Sequence, residues 1–490
     1  MNSTPAAQGG LLLNVARQAM TSNGLLPDFG DAAMKQLAAI TGPAQDPGPD
    51  IRDLRHLLWA SIDNDNSRDL DQLSVADPAG PGAIRILVAI ADVDAVIKRG
   101  SPIDDHARLN TTSVYTPAAI FSMLPEKLST DLTSLGESQE RLALVCDMTI
   151  TAAGAVVQSD WYRARVVNRA KLAYNAVGAW LAGTGPAPPG VAAVAGMDQQ
   201  LRTQDNVAQS LRAVRRARGA LDLQTIETQP VFSAGILSDL LPDAPNRAKQ
   251  LIEELMVAAN GVTAQFLSSK GFSALRRVLR EPKRWDRIVA LAAALGEKLP
   301  AAASAPALNA FLAKRRQIAP DLYPDLSLSV IKLLGSGEYI MDKPGQAIAG
   351  HFGLAVVDYT HSTAPNRRFP DIVTQRLMKA LIAKSAQPYS EDDLNAIAVH
   401  CTLQEHNAAK VERAVNKSAA ASLLAARIGA KFDAIVTGAS EKGTWVRISS
   451  PTTEGKVVKG FEGLDVGDRV RVTLLHTDVA RGFIDFVKTQ

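Results

Sequence analysis

At 490 residues the chain exceeds what one hydrophobic core usually supports, so we expect one large domain with one or two small ones. Its composition, 46% hydrophobic and 21% charged, is typical of a soluble globular protein, and a net charge of +3 is too small to indicate nucleic-acid binding by itself. The chain has two cysteines far apart in sequence, which argues against a disulfide framework or a zinc site and favours a reducing cytoplasm. It has no apolar stretch near the ~18 residues of a membrane span, which argues against a membrane partner.

The N-terminal residues predict a small helical region over residues 1–48. Apolar side chains recur at roughly helical spacing between residues 11 and 40. The stretch 41–50 has the Pro and Gly content of a linker. One hypothesis for this region is nucleic-acid binding, which deletion of residues 1–45 would test.

An acidic run follows in the next segment, where strands and loops alternate. It places Asp63, Asp65, Asp69 and Asp71 close together and ends on Gln72. Alternate residues of an extended segment share a face, so all four carboxylates could project toward one point. Crowded carboxylates repel one another unless divalent cations neutralise them, and oxygen ligands suit Mg²⁺ or Mn²⁺. From the run alone, a solvated acidic turn is an equal alternative.

A calcium-binding EF-hand loop is a competing interpretation of the same run. The spacing of its acidic residues fits such a loop, but two decisive positions do not. The sixth position, which needs Gly, is Arg68, and the twelfth, which needs Glu, is Ser74. The run therefore does not predict an EF-hand.

Helices dominate the later part of the chain until the pattern changes near its end. One apolar helical stripe runs over residues 247–266 and a second long helical pattern covers 391–428. From Lys431, short alternating strands separated by Gly turns are typical of a five-stranded OB-type barrel. We therefore predict a large domain over residues 49–428 and a barrel over 429–490. P-loop, zincin and α/β-hydrolase signatures are missing from the sequence.

A basic turn lies between the two helical patterns. Pro365 and Pro370 fix a turn that carries Arg367 and Arg368. Paired arginines on a rigid turn are suited to clamp phosphate oxygens. A structural salt bridge explains them equally well on local evidence.

Together these segments resemble a known family. The motifs are S-I-D-N-D-N-S-R-D-L-D-Q, V-A-I-A-D-V-D-A-V-I-K-R-G-S-P-I-D, S-V-Y-T-P, E-E-L-M-V-A-A-N-G-V and Y-T-H-S-T-A-P-N-R-R-F-P-D-I-V. In this order they resemble the catalytic domain of ribonucleases II and R, known as RNB, over about residues 50 to 428. The terminal barrel resembles the S1 domain of this family. The N-terminus departs from it, because about fifty residues cannot comfortably hold the cold-shock domains usual in bacterial members.

The resemblance implies an α+β fold: a mixed sheet packed with helices, plus an OB-fold barrel. It also implies processive 3′→5′ hydrolysis of single-stranded RNA to nucleoside 5′-monophosphates with Mg²⁺, or with Mn²⁺ in its place, by a monomer that uses no small-molecule cofactor. A rival hypothesis is an RNB-fold protein that binds RNA but cleaves it slowly or not at all. A third is a metal-dependent phosphoesterase that acts on something other than RNA.

The resemblance also assigns candidate site residues. Asp63, Asp69 and Asp71 match three of the four acidic metal positions, whereas Gln72 stands where the family has Asp. An amide oxygen can still bind Mg²⁺, but without a charge it binds more weakly, which motivates the rival hypothesis. Asp65 matches no family position. Four residues are catalytic candidates: Asp71 to orient the attacking water, Asp69 beside it, Arg367 to stabilise the phosphate and Glu412 on a late helix, whose alternative is an ordinary i,i+4 surface pair.

RNA-binding candidates complete the set. Tyr115 matches a tyrosine that stacks near the 3′-terminal nucleotide, and Phe272 would be its clamping partner. Arg368 would contact phosphate, and Trp445 in the barrel would stack on a base. For Phe272 and Trp445, burial in a core is an alternative explanation.

Overall fold

The computed structural model describes residues 5–45, 50–78, 80, 82–224, 228–233, 236–346, 349–440 and 443–489. Both predicted classes of secondary structure are present, which confirms the α+β prediction. In chain order the helices are α1 Pro5–Ser22, α2 Asp31–Ala39, α3 Pro102–Asn110, α4 Tyr174–Leu181, α5 Pro189–Ala192, α6 Met197–Ala217, α7 Arg247–Ser269, α8 Trp285–Ala294, α9 Ala305–Ile318, α10 Tyr323–Leu334, α11 Phe369–Ile382 and α12 Glu391–Leu424.

A seven-stranded mixed sheet forms the centre of the large domain. The strands up to residue 173 are β1 Arg52–Asp53, β2 Ala60–Asp63, β3 Gln72–Pro78, β4 Ala83–Ala91, β5 Val114–Tyr115, β6 Ile120–Phe121, β7 Glu140–Thr151, β8 Val156–Val167 and β9 Ala170–Ala173. The sheet order is β1, β8, β7, β4, β3, β2, β9, and β5 and β6 form a separate hairpin. Two edge pairs, β1 with β8 and β2 with β9, are parallel, and the other neighbours in the sheet are antiparallel. Central β4 is an almost unbroken apolar run, buried from Ile86 to Ala91, as expected of a strand covered on both faces.

Two further strand pairs precede the C-terminal barrel. Strands β10 Thr228–Ser233 and β11 Ile236–Pro242 pair with each other, as do β12 Ala274–Val278 and β13 Glu338–Asp342.

The C-terminal strands close into the predicted barrel. The barrel strands are β14 Lys431–Ser440, β15 Gly443–Ser449, β16 Thr452–Lys459, β17 Arg469–Asp478 and β18 Phe483–Lys488. They close in the order β14, β15, β16, β18, β17. Alternate residues such as Phe432, Ala434 and Val436 are buried inside, which is the period-two pattern that the sequence showed.

Helix α12 connects the parts of the molecule. Its 34 residues, about 50 Å of helix, begin at a capping box in which Ser390 and Asp393 bond reciprocally. One core cluster joins apolar residues of α1 and α12 to the hairpin and to the barrel interior. A second, larger cluster fills the space between the sheet and its covering helices. Among the described residues, no helix is both long and apolar enough to cross a membrane.

Candidate active site

The acidic run forms the connection between β2 and β3. Asp63 is the last residue of β2, and Asp71 directly precedes β3. The Asp71 side chain is only 2% exposed. Its Oδ1 accepts a hydrogen bond from the backbone N–H of Asn366 at 2.8 Å, and its Oδ2 accepts one from Nε of Arg367 at 3.2 Å. The structure thus joins the acidic run to the basic turn, nearly three hundred residues further along the chain.

The carboxylates of this site are costly to ionise. Burial is the main cause that raises the pKa of Asp71 to about 7; nearby Asp69 and Asp371 add to the rise, whereas Arg367 and the N–H of Asn366 oppose it. Burial also raises the pKa of Asp63, which Arg367 and the backbone N–H of Asn64 partly oppose. Arg367 interacts with three of the four carboxylates of the run, those of Asp71, Asp63 and Asp69. Negative charge therefore exceeds positive charge here when the carboxylates are ionised.

A divalent cation fits this donor set chemically. All three carboxylates offer oxygen ligands, and a bound cation would offset the cost of ionising them. Around Asp71, three buried polar atoms have no hydrogen-bond partner among the described residues: Nδ2 of Asn366, Nε of Arg368 and Oδ2 of Asp371. Such atoms are expected where water or a ligand is bound. Within the described part of the chain, no three His, Cys, Asp or Glu side chains are grouped closely enough to hold a metal ion.

Tyr115 faces the same carboxylates from the β5–β6 hairpin. The residue is 40% exposed, and its hydroxyl donates a hydrogen bond to Oδ2 of Asp69 at 3.1 Å. Its backbone N–H donates to Oε1 of Glu412 on α12 at 3.0 Å. Glu412 therefore reaches the site through the backbone of Tyr115, a contact that an i,i+4 surface pair would not make.

The two adjacent arginines face different partners. The Arg367 side chain is 46% exposed beside Asp71, and its carbonyl accepts a hydrogen bond from the N–H of Ser113 at 3.0 Å. Arg368 instead donates to Oδ1 of Asp371 in the first turn of α11, at 2.7 Å. Arg367 is thus available to a ligand. Arg368 makes the structural ion pair that the sequence offered as its alternative.

The structure also places Gln72, Asp65 and Trp445. Gln72 begins β3, opposite Ile90, and is 9% exposed, whereas Asp65 lies in an exposed turn. Trp445 is half-buried and is one of the outward-facing residues of β15. The ring of Trp445 lies 5.8 Å from Nζ of Lys456. Its predicted RNA contact and the effect of Gln72 stay predictions.

Phe272 is not brought to Tyr115. It follows α7 and packs, partly buried, against the main core. The hydroxyl of neighbouring Ser273 bonds to Glu391 at the start of α12, whereas Tyr115 bonds to Glu412 on the same helix. The 21 residues from Glu391 to Glu412 correspond to about 30 Å of helix. Core packing is therefore the observed environment of Phe272.

One residue near the carboxylates had no signal in the sequence. Tyr174 begins α4, directly after β9, whose Ala173 pairs with Asp63 in β2. Burial raises the pKa of the Tyr174 hydroxyl, and the nearby Asp63 raises it further. The pairing joins positions more than a hundred residues apart, so no local pattern predicts it.

Known protein families match most of this chain. The RNB domain family matches residues 51–384, and the RNase II-type exonuclease C-terminal S1 domain matches residues 430–489. Ribonuclease R of Vibrio cholerae is 30% identical over 447 residues, which are 86% of this chain and 52% of that protein. Ribonuclease R of Escherichia coli is 29% identical over 430 residues, covering 83% and 51%. The chain thus spans about half the length of these relatives.

Solved structures show the same fold. Mycoplasma genitalium RNase R in complex with ribose-methylated single-stranded RNA superposes with a TM-score of 0.86 at 22% identity, over 98% of this chain and 78% of that one. Yeast Ssd1, described as a pseudonuclease, superposes with a TM-score of 0.72 at 17% identity, over 90% and 55%. At these identities the likeness establishes the fold.

Proposed function

The chain belongs to the RNB family, and from this premise we propose that it is a divalent-metal-dependent 3′→5′ exoribonuclease that acts on single-stranded RNA. The observation that carries this proposal is the meeting of Asp71, Arg367 and Tyr115 at one site. A carboxylate, a half-exposed guanidinium and an exposed aromatic ring are the groups needed to hold a phosphodiester and its terminal base.

A bound ion would take its oxygen ligands from Asp63, Asp69 and Asp71, with Gln72 as an uncharged fourth candidate. These side chains would have to move closer together than the described residues place them. Mg²⁺, or Mn²⁺ in its place, would supply an activated water and would neutralise charge on the phosphoryl group. Asp71 would orient the attacking water through its carboxylate, which the N–H of Asn366 and Nε of Arg367 hold in place. The N–H groups of Arg367 directed away from Asp71 would donate to the phosphoryl oxygens as negative charge develops there.

Tyr115 would position the 3′-terminal nucleotide. Its ring stacks on a base, which is worth roughly 1–3 kcal/mol and tolerates any sequence, as processive degradation requires. Asp69 fixes its hydroxyl, and Glu412 fixes its backbone. Glu412 is therefore a positioning residue in this proposal. The nucleoside 5′-monophosphate product and RNA binding by the barrel over residues 429–490, including Trp445, belong to the same proposal.

End-labelled single-stranded RNA tests the proposal directly. Wild type, Asp71→Asn and Gln72→Asp would be incubated with RNA and Mg²⁺ or Mn²⁺, and the products resolved by length. We expect wild type to shorten RNA from the 3′ end and Asp71→Asn to be at least ~100-fold slower, because the group that orients the water has lost its charge. A wild type as inert as Asp71→Asn would refute the nuclease and favour an RNA-binding protein with an attenuated site.

A further inference from the structure

Asn110, the last residue of α3, makes a paired contact with the N-terminal region. Its side chain is 1% exposed. Its Oδ1 accepts a hydrogen bond from the backbone N–H of Leu26 at 2.8 Å, and its Nδ2 donates to the carbonyl of Leu26 at 2.9 Å. One side-chain amide thus satisfies both backbone groups of a residue 84 positions away.

Helix α12 makes a second connection to the same place. Nε2 of Gln404, which is 5% exposed, donates to the carbonyl of Gly24 at 3.1 Å and to that of Leu109 at 2.8 Å. The N-terminal residues 24–26 are therefore joined both to the end of α3 and to α12. Glu412, which holds the backbone of Tyr115, lies about two turns further along this helix.

The chain that leaves Asn110 leads directly into the site. The carbonyl of Thr111 accepts a hydrogen bond from the N–H of Phe369 at 2.8 Å, and the N–H of Ser113 donates to the carbonyl of Arg367 at 3.0 Å. Tyr115 follows two residues later. The segment that begins at Asn110 thus holds the backbone of Arg367 and carries the ring of Tyr115.

Thr111 shows that this path is imposed by its surroundings. Its φ of 59° lies in the left-handed region, which a β-branched residue adopts only at a cost. Such a conformation persists where neighbouring contacts hold it, and it is concentrated at functional sites. Apolar packing connects the same two regions: Leu25, which is 1% exposed, belongs to the same core cluster as Val114 and Phe121 of the hairpin.

We propose that Asn110 is a positioning residue through which the N-terminal residues 24–26 hold Arg367 and Tyr115 in place, so that the N-terminal region supports the site from behind. The proposal rests on the proposed function for its effect on RNA. Its structural part, the ordering of residues 111–115, does not depend on activity.

Asn110→Asp is the discriminating variant. It keeps the shape of the side chain but replaces the Nδ2 donor with an acceptor, so that the buried carbonyl of Leu26 loses its partner and faces a charge. Gln200→Glu is the matched control. Gln200 is also buried and bridges two backbone groups, the N–H of Ala76 and the carbonyl of Leu58, at a place remote from Tyr115.

Amide hydrogen exchange of the full-length protein, without RNA or metal, tests the structural part. In Asn110→Asp we expect the N–H groups of Ser113 and Tyr115 to exchange at least ~10-fold faster, because local opening governs their exchange. In Gln200→Glu their exchange should stay within ~2-fold of wild type. Unchanged exchange in Asn110→Asp, or an equal increase in both variants, would overturn the proposal. If Asn110→Asp does not fold, Gln404→Glu provides the same test.

A double-mutant cycle tests the effect on RNA, with oligoadenylate as the probe and EDTA to prevent cleavage. Asn110→Asp should weaken binding about 5-fold in the wild-type background and less than ~2-fold when Tyr115→Ala is already present. An equal loss in both backgrounds would overturn the link to Tyr115. If wild type does not bind the probe, the proposed function fails, whereas the exchange experiment still decides whether Asn110 orders the segment.

Discussion

Two acidic clusters lie at neighbouring strand ends on the same side of the central sheet, and they differ in how their charge is balanced. Asp71 enters β3, while Asp92 and Asp94 leave the neighbouring antiparallel strand β4. Asp92 and Asp94 share Lys379, and Asp94 also pairs with Arg376 at 2.7 Å. Burial alone would raise the pKa of Asp94, but these cations lower it overall.

The site around Asp71 has the opposite balance. One arginine, Arg367, faces Asp63, Asp69 and Asp71, and the pKa values of Asp63 and Asp71 are raised. In sequence both clusters are short runs of aspartates beside strands. The comparison teaches that the balance of cations, rather than the number of carboxylates, distinguishes the two clusters, and it is this balance that supports the metal site proposed around Asp71.

Arg376→Met should break the structural cluster, with the largest effect on stability. The Arg376 side chain is 5% exposed and pairs with both Asp94 and Asp104. Because its loss leaves buried carboxylates with too few partners, we expect the free energy of unfolding to fall by about 5 kcal/mol. Urea unfolding followed by circular dichroism measures this. A loss below about 1 kcal/mol would show that the cluster is not held by its charges.

Stability should depend on pH in a way specific to the site. The pKa of Asp71 is about 7 in the folded protein and 3.8 as the ordinary value, so the folded state holds this proton more tightly. The resulting stability is fully present below about pH 4 and is lost as pH rises toward 7, by roughly 4 kcal/mol. Asp71→Asn should lack this decline. Parallel curves of unfolding free energy against pH, measured in EDTA for both proteins, would contradict it.

Gln72→Asp should have a smaller effect on stability, because it adds one negative charge to a site whose carboxylates already outnumber its cations. A carboxylate at this 9% exposed position adds a buried negative charge, so the metal-free protein should lose about 1 to 2 kcal/mol at pH 8. If Gln72 faces the ion, excess Mn²⁺ should restore this loss through tighter binding. A loss that Mn²⁺ does not restore would place Gln72 outside the metal site.

Much of this comparison was within reach of the sequence. The run from Asp63 to Asp71 is local, and the motif around Arg367 was matched separately, so the residue sets were predicted but their direct contact was not. The balance of charge was not predictable, because Arg376 and Lys379 reach Asp92 and Asp94 from almost three hundred residues away. Tyr174 was not predictable for the same reason, because its position beside Asp63 depends on a pairing between strands that are distant in sequence.

Two predictions show the limits of motif and pattern in other ways. Phe272 was predicted to clamp RNA with Tyr115 on a short and ambiguous match. In the structure it packs against the core, and its neighbour Ser273 and Tyr115 contact α12 at points far apart. The two arginines of the basic turn look equivalent in sequence. Their different partners, Asp71 for Arg367 and Asp371 for Arg368, separate them in the structure. By contrast, the barrel and the long helix α12 followed their periodicity closely, because their burial repeats with the strand or helix period.

The most direct test of the central claim is a titration of Mn²⁺ into metal-free protein, followed by electron paramagnetic resonance, for wild type, Asp71→Asn and Asp65→Asn. Asp65 belongs to the same run but lies in its exposed turn, so it is the matched control. The account predicts that Asp71→Asn binds Mn²⁺ at least ~10-fold more weakly, since a charged ligand is lost, and that Asp65→Asn binds it like wild type. Equal affinity in wild type and Asp71→Asn, or a loss in Asp65→Asn alone, would contradict it.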